Sequence, residues 1–214
     1  MRFQEIWSYS IVTKLSHCAG ILALTTFSSF ATAVENMDVG KTVVEKLHQN
    51  LLHVMTKADA LGFSGRVEAL DPVLTEVFDF RTIARIVTGK HWKTLNDEQR
   101  VEFIDVFTNL TAATYASNFS GFSGEAFETL GVEEKRGNLL VRTAIVKADG
   151  ERVTLDYVLR DNEGMWQIVN VIANGVSDLS LKRADYTAVI KNEGFNSLVG
   201  KLSDKIGNYR STEH

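Results

Sequence analysis

The segment Val169-Asn170-Val171-Ile172-Ala173-Asn174-Gly175-Val176-Ser177 joins an apolar strand to a tight turn and then to a helix. The residues before the turn are mostly apolar and β-branched, which favours a strand. Ser177 does not lie in the Gly-x-Ser-x-Gly pattern of a nucleophile elbow. We therefore expect Ser177 to cap the following helix or to bond the local backbone, and not to attack a substrate.

Three more segments precede this strand and share its β-branched and aromatic composition. The four predicted strands are residues 127–132, 139–146, 153–159 and 166–172. Short turn sequences separate them at 135–138, 149–150 and 161–164. This arrangement is typical of consecutive hairpins. The sequence therefore predicts a four-stranded antiparallel sheet within residues 126–173.

Helical patterns lie on both sides of the predicted sheet, in residues 38–125 and 176–207. Apolar residues recur at helical spacing through 41–61, which predicts an amphipathic helix. Asp71 and Pro72 predict the start of a second helix, because proline suits a first helical turn. Asp79 is placed to cap a third helix that ends at Gly89. The fold class is α+β, with helices covering one face of the sheet.

A fourth helix is predicted to begin at Asn96, which forms a capping-box pattern with Gln99. Its apolar residues spread around much of the helix circumference, namely Val101, Phe103, Ile104, Val106, Phe107, Leu110, Tyr115 and Phe119. A helix with a single buried face needs an apolar stripe only about 100° wide. We therefore expect this helix to contact the core on one side and something else on the other.

The first 33 residues have the features of a cleavable secretory signal peptide. Arg2 and Lys14 supply positive charge, an apolar stretch follows, and Ala31-Thr32-Ala33 gives the small-x-small pattern of a cleavage site. The apolar stretch is shorter than the roughly 20 residues that span a membrane. Cleavage would leave residues 34–214 as a single domain and would remove Cys18, the only cysteine.

Charge and motif content argue against several classes of function. The formal net charge of the 214 residues is −4, and loss of the signal peptide makes it −5, because two bases and one acid are removed. A weakly acidic chain without basic runs argues against nucleic-acid binding. His48 and His53 lie on different helix faces, and no HExxH zinc motif is present. We expect no metal and no cofactor.

Three blocks carry a resemblance to a known family. The first is 169–177 with 181–186 and 190–195, and the second is 78–80 with 89–93, 98–100 and 103. The third comprises 114–116, 119, 121–122, 124–125 and 127. Over residues 43–206 the chain resembles the MlaC/toluene-tolerance family of periplasmic lipid-binding proteins. The third block resembles most the HpnM branch, which is associated with hopanoid biosynthesis.

The resemblance implies a fold and a function. The fold would be a nuclear-transport-factor-like roll, in which helices close a curved sheet, with a helical subdomain beside it. The function would be that of a soluble periplasmic carrier, linked to an ABC transporter, that moves an amphipathic lipid between inner- and outer-membrane complexes. The cargo would be a hopanoid or a glycerophospholipid, and the carrier is expected to be a monomer.

The many aromatic residues between the third helix and the first strand predict an apolar cavity for such a cargo. A phenylalanine-rich core is the alternative for each residue taken singly. Lipid sites are mostly apolar, and each buried CH₂ contributes about 0.8 kcal/mol. The residues expected in the cavity wall are Ile83, Val87, Phe103, Phe107, Tyr115, Phe119, Ile145, Tyr157 and Ile172.

Two other functions stay open. The first is a small-molecule isomerase, because a roll of this type can hold an Asp base and a Tyr donor in an apolar pocket. Asp156 and Tyr157 are adjacent on a strand, however, so their side chains point to opposite faces. We therefore expect no catalysis, and we expect Asp156 to lie on the outer face of the sheet or to pair with a nearby cation such as Arg142 or Arg160. The second alternative is a ligand-free subunit whose apolar helix face docks a membrane partner.

Overall fold

The fold is described from a computed structural model that covers the backbone of residues 27–212 and the side chains of residues 36–212. Residues 1–26 of the predicted signal peptide lie outside the described residues. The helices are α1 (Phe27–Thr56), α2 (Ala58–Val77), α3 (Phe80–Thr88), α4 (Asp97–Asn118), α5 (Asp178–Glu193) and α6 (Phe195–Ser211), with a short 3-10 helix (Gly89–Thr94) after α3. The strands are β1 (Ala126–Lys135), β2 (Asn138–Val146), β3 (Arg152–Asn162), β4 (Met165–Ala173) and β5 (Val176–Ser177).

The strands form one antiparallel sheet in the order β1-β2-β3-β4-β5. The four predicted strands and their hairpin connections are confirmed, and the α+β class with them. The prediction of four strands in total was wrong, because β5 adds a fifth. Asn174 and Gly175 both adopt positive φ, which gives the tight turn that folds β5 back onto β4. A strand of two residues is too short to show a periodic pattern in the sequence.

A β-bulge in β4 sets which residues face the helices. Val158 pairs with Asn170 and Leu159 pairs with Ile168, so Val169 is the extra residue. After the bulge, Val171 lies opposite Tyr157, and directly paired residues share a face of the sheet. Tyr157 is fully buried, so Val171 belongs to the inner face.

Three predicted helix starts are confirmed by their capping hydrogen bonds. The Asp79 carboxylate accepts from the Thr82 N–H at 2.8 Å and begins α3. Asn96 and Gln99 form both bonds of the capping box at the start of α4. The Ser177 hydroxyl accepts from the Ser180 N–H at 3.2 Å and begins α5. Each cap involves residues three apart, which is why local sequence reveals it.

The predicted helix start at Asp71-Pro72 was wrong. α2 runs through Pro72, and its backbone departs from helical geometry at Gly62, where φ is 60°. The predicted helix 41–61 is also divided, because α1 ends at Thr56. An internal proline costs about 3 kcal/mol in a helix. The burial of Leu70, Val73, Leu74 and Val77 on either side of it offsets that cost.

The core lies between the helices and the inner face of the sheet. α1 contributes Val44, Leu47 and Leu51, and β2 and β3 contribute further fully buried residues such as Leu139 and Leu159. Buried polar side chains are bonded: the Arg66 guanidinium donates to the carbonyls of Ala116 and Ala58. Within residues 27–212, no helix combines the length and the hydrophobicity that a membrane span requires.

Candidate functional site

A partly open cavity lies between α3, α4, the inner face of β3 and β4, and the start of α5. Most of its lining is apolar or aromatic: Phe78, Phe80, Ile83, Phe107, Leu110, Tyr115, Phe119, Leu155, Val169, Val171 and Leu179. Its polar lining consists of Thr111, Thr114, Asn118, Asn170, Asp178 and Lys182. We call this site the aromatic cavity. An apolar wall with a few polar groups is typical of small-molecule and lipid sites.

Two aromatic residues of the cavity wall are held in place by backbone pairing with the sheet. Phe78 forms an isolated bridge with Ile168 of β4, and the Asp79 N–H donates to the Ile168 carbonyl at 3.0 Å. The Gln167 side-chain amide donates to the Glu76 carbonyl at 3.0 Å and holds the end of α2 to the same strand. Phe78 and its near neighbour Phe80 are thereby held against the edge of the sheet.

The aromatic rings of the cavity contact one another. Phe78 lies 5.6 Å from Phe80 and 6.1 Å from Tyr115 between ring centroids. Tyr115 stacks on Phe119 at 5.7 Å, and Phe80 meets Phe107 edge-on at 6.1 Å. Such contacts contribute about 0.5–1.5 kcal/mol per pair beyond the area they bury. The walls of the cavity are therefore held by the rings that form them.

Three of the polar lining residues, Asn170, Asp178 and Lys182, lie near the start of α5, and the other three are on α4. The Asn170 side-chain carbonyl accepts from the Leu179 N–H and from the Ser177 hydroxyl, each at 3.1 Å. Asp178 forms an ion pair with Lys182 one turn further along α5. Burial, and secondly the negative charge of Asp178, raise the pKa of the Tyr115 phenol. The Asp178 carboxylate and the Tyr115 phenol line the same cavity.

The volume of the cavity limits the size of the ligand that can enter without a movement of its walls. Its volume is about 110 Å³, whereas sites for drug-sized ligands enclose roughly 300–1,000 Å³. A lipid with long acyl chains needs still more room. Binding of such a ligand therefore requires the walls of the aromatic cavity to move apart.

Four of the nine predicted wall residues line the aromatic cavity, namely Ile83, Phe107, Tyr115 and Phe119. Several other lining residues were not predicted from the sequence: Phe78, Phe80, Leu110, Leu155, Val169, Val171, Leu179 and all of the polar residues. The Phe78-Asp79-Phe80 motif carried a signal for the first two, since it belongs to a block of the family resemblance.

The other five predicted residues lie elsewhere. Val87, Phe103 and Ile145 are buried in the core, and Phe103 packs against the rings of Tyr186 and Phe195. Ile172 lies opposite Asp156 in the sheet, on the face away from Tyr157. The bulge at Val169 explains this placement, because it sets the alternation of side chains at the end of β4. The structure therefore does not bring these five residues into the cavity wall.

Tyr157, the fifth of these residues, belongs to a filled region that we call the tyrosine–histidine core, formed by His48, Phe127 and Tyr157. The Tyr157 hydroxyl and His48 Nε2 are hydrogen-bonded at 3.0 Å, and both side chains are buried. The His48 ring stacks on Phe127 with centroids 4.2 Å apart. Burial lowers the pKa of His48 from 6.5 to about 3, because the charged imidazolium would lose its hydration.

Asp156 has a different partner from the one that the sequence predicted. Its Oδ1 accepts from the Thr143 N–H at 3.4 Å, between β2 and β3. Arg142 instead pairs with Glu133 at 3.1 Å. Neither Asp156 nor Tyr157 lines the aromatic cavity, so the pair proposed for an isomerase does not share a pocket. Among residues 36–212, no three His, Cys, Asp or Glu side chains gather as metal ligands would.

A second concave surface, the α4–α6 groove, lies on the outer side of α4. Its apolar residues are Val101, Val106, Val199 and Ile206, and its acidic residues are Asp97, Glu98, Glu102 and Asp105. Val101 is 56% exposed. α4 thus presents Phe103 and Phe107 to the interior and Val101 to this groove, which accounts for the broad apolar coverage predicted from the sequence.

Comparisons with known proteins agree with this architecture. The family model described as "MlaC protein" matches residues 45–204. The intermembrane phospholipid transport system binding protein MlaC of Haemophilus influenzae is 24% identical over 121 residues, which is 54% of this chain and 56% of that protein. The chain thus spans just over half the length of this curated relative.

A solved structure shows the same fold. It is that of a phospholipid-binding protein from Ralstonia solanacearum in complex with a phospholipid, and it matches with a TM-score of 0.71 at 19% identity. The match covers 79% of this chain and 98% of that one. Since the family model covers well over half of the sequence, this chain belongs to the MlaC protein family.

Proposed function

We propose that this protein binds one amphipathic lipid in the aromatic cavity and carries it between membrane-bound partners. The observation that supports this most directly is an apolar, aromatic cavity whose lining also includes an ion pair, Asp178 and Lys182. That arrangement suits a molecule with an apolar body and a polar head. Family membership adds to it, since the H. influenzae relative is named for phospholipid transport and the R. solanacearum protein was solved with a phospholipid.

The whole of residues 34–214 would act as a single lipid-binding domain in the periplasm, after the signal peptide is removed. Two β-bulges support a curved, roll-like sheet, one at Thr129/Gly131 and one at Val158/Leu159, because bulges bend a strand. A glycerophospholipid is the cargo that the comparisons favour. A hopanoid remains the alternative, which rests on the resemblance to the HpnM branch.

The α4–α6 groove supports a further part of this role, contact with membrane partners. None of its lining residues lines the aromatic cavity, so a partner bound there would leave the cavity accessible. This groove also favours the second candidate function, a docking subunit that carries no lipid. The two functions differ in one measurable respect, which is whether lipid accompanies the protein.

Native mass spectrometry of the protein isolated from the periplasm under mild conditions tests the proposal. We expect one lipid per chain. A protein mass without lipid would contradict the carrier role and favour docking alone.

Two neighbouring residues of β4 provide a matched pair for the same measurement. Val171 lines the cavity, whereas Ile172 lies on the other face of the sheet. Val171→Phe should lower lipid occupancy by filling the cavity, and Ile172→Phe should leave it unchanged. Equal occupancy in the two variants would place the lipid somewhere else.

A further inference from the structure

The two charged residues in the lining of the aromatic cavity are Asp178 and Lys182. They form an ion pair, and their side chains are only 29% and 28% exposed. The comparable helical pair Lys41–Glu45 is 48% and 42% exposed. The wall of the cavity therefore includes a neighbouring positive and negative charge that are partly shielded from water.

The backbone around Asp178 is held in place. Ser177 and Leu179, the residues on either side of it, both bond to the side-chain carbonyl of Asn170 on β4. Asp178, the first residue of α5, is thus held close to β4. Asp178 and Tyr115 both line the cavity, so the carboxylate shares this site with the aromatic wall.

Lys182 is the charged donor that the cavity lining offers to a ligand. The hydroxyls of Thr111 and Thr114, which also line it, donate to the carbonyls of Phe107 and Leu110 within α4. Their hydrogens are therefore already used. The Lys182 ammonium carries three N–H groups, so it can bond Asp178 and a further acceptor.

From this arrangement we propose that the Asp178–Lys182 pair selects a zwitterionic phospholipid head group, of the phosphoethanolamine type. The ammonium of Lys182 binds the phosphate of the ligand, and the carboxylate of Asp178 binds the ammonium of the ligand. An anionic head group would satisfy Lys182 but leave Asp178 next to a second negative charge. An uncharged amphiphile would offer neither residue an opposite charge. The inference rests on the proposed function, because it assumes that a lipid occupies the cavity.

The simpler role for this pair is to stabilise α5. An acidic residue in the first turn and an acid–base pair four apart each contribute a little to a helix. That role predicts no effect on which lipid is bound. The composition of the bound lipid is therefore the measurement that separates the two roles.

The test uses vesicles that contain equal amounts of phosphatidylethanolamine and phosphatidylglycerol. The secreted protein, without its signal peptide, is stripped of lipid, incubated with the vesicles and separated from them. Its bound lipids are then quantified by mass spectrometry. We expect the wild-type protein to be enriched in phosphatidylethanolamine by up to about fivefold, which is the range that an exposed ion pair supports.

Two variants should move this ratio in opposite directions. Asp178→Asn leaves Lys182 alone and should shift the bound lipid toward phosphatidylglycerol. Lys182→Gln leaves Asp178 alone, which should lower total phospholipid and reduce phosphatidylglycerol the most. Asp185→Asn and Lys191→Gln are the controls, since they make the same charge changes on α5 at positions outside the cavity lining. The controls should keep the wild-type ratio.

The outcomes separate a failure of head-group selection from a failure of the carrier role. A wild-type protein that takes up both lipids in the vesicle ratio, or variants that match their controls, would overturn the head-group inference and leave the carrier role intact. A wild-type protein that takes up neither lipid would overturn the inference together with a phospholipid-carrier role. Should Asp178→Asn fail to fold, the shift expected for Lys182→Gln decides alone.

Discussion

The tyrosine–histidine core and the aromatic cavity lie on the same side of one sheet, but they are packed differently. In the core, Tyr157 is fully buried and its hydroxyl is bonded to His48. In the cavity, Tyr115 is only partly buried and its ring borders open space. Phe119 joins the two regions, because it contacts both Tyr115 and Phe127. One region therefore holds the sheet to α1, while the other encloses unfilled space.

The largest difference between the regions should appear when each tyrosine is truncated. Tyr157→Ala leaves a cavity in a filled core and removes the partner of His48, so we expect a loss of about 3–5 kcal/mol in the free energy of unfolding. Tyr115→Ala enlarges a cavity that already exists and should cost less. Urea denaturation of lipid-free protein measures both. Equal losses would show that the cavity is packed like the core.

Substitution of two phenylalanines of α4 by tryptophan compares the packed core with the cavity in a second way. Phe103 is fully buried among other rings, so Phe103→Trp should overpack the core and cost about 1–3 kcal/mol while bound lipid is retained. Phe107 borders the cavity, so Phe107→Trp should cost less and reduce lipid occupancy. Thermal unfolding and lipid quantification of both variants check this. A loss of lipid in the Phe103 variant alone would reverse the assignment of the two sides.

The pH dependence of stability reports on the tyrosine–histidine core. The folded protein holds His48 neutral down to about pH 3, whereas the unfolded chain binds a proton near pH 6.5. Below pH 6.5 the unfolded state therefore binds more protons, and stability falls by up to about 1.4 kcal/mol per pH unit. We expect this residue to account for a loss of about 2 kcal/mol between pH 6.5 and 5.

The variant His48→Gln isolates that contribution. Gln does not titrate, so the slope of unfolding free energy against pH should be shallower than in the wild type over this range. Parallel slopes for the two proteins would mean that His48 is not held neutral by burial.

The smallest effect is expected at Asp156, which belongs to neither region. Asp156→Asn keeps an oxygen that can accept the bond from the Thr143 N–H, so the change in stability should be below about 1 kcal/mol. Lipid binding should be unchanged. Turnover of a steroid-like enone by the wild-type protein that disappears in this variant would support the isomerase alternative instead.

The sequence was most informative where structure depends on nearby residues. The strands follow from β-branched and aromatic composition, and the caps at Asp79, Asn96 and Ser177 involve hydrogen bonds to residues three positions away. Such local features were predicted correctly. The break in α2 was placed at Pro72 instead of Gly62, because the packing of the helix outweighs the preference of proline for a helix start.

The cavity depends on contacts that local patterns do not carry. Phe78 reaches the cavity because it pairs with Ile168 of a distant strand. A single extra residue, Val169, puts Val171 on the inner face and Ile172 on the other. Aromatic content alone does not distinguish Phe103 in the core from Phe107 in the cavity wall. These differences required the register of the sheet and the placement of the helices.

Site-specific photo-crosslinking tests most directly whether lipid occupies the aromatic cavity. A diazirine analogue of leucine replaces either Leu110, which lines the cavity, or Leu139, which is fully buried in the core. Each protein is loaded with phospholipid from vesicles, irradiated and analysed by mass spectrometry. The lipid-carrier account predicts a covalent lipid adduct at position 110 and none at position 139. Lipid-loaded protein that forms no adduct at position 110, or forms equal amounts at both positions, would contradict it.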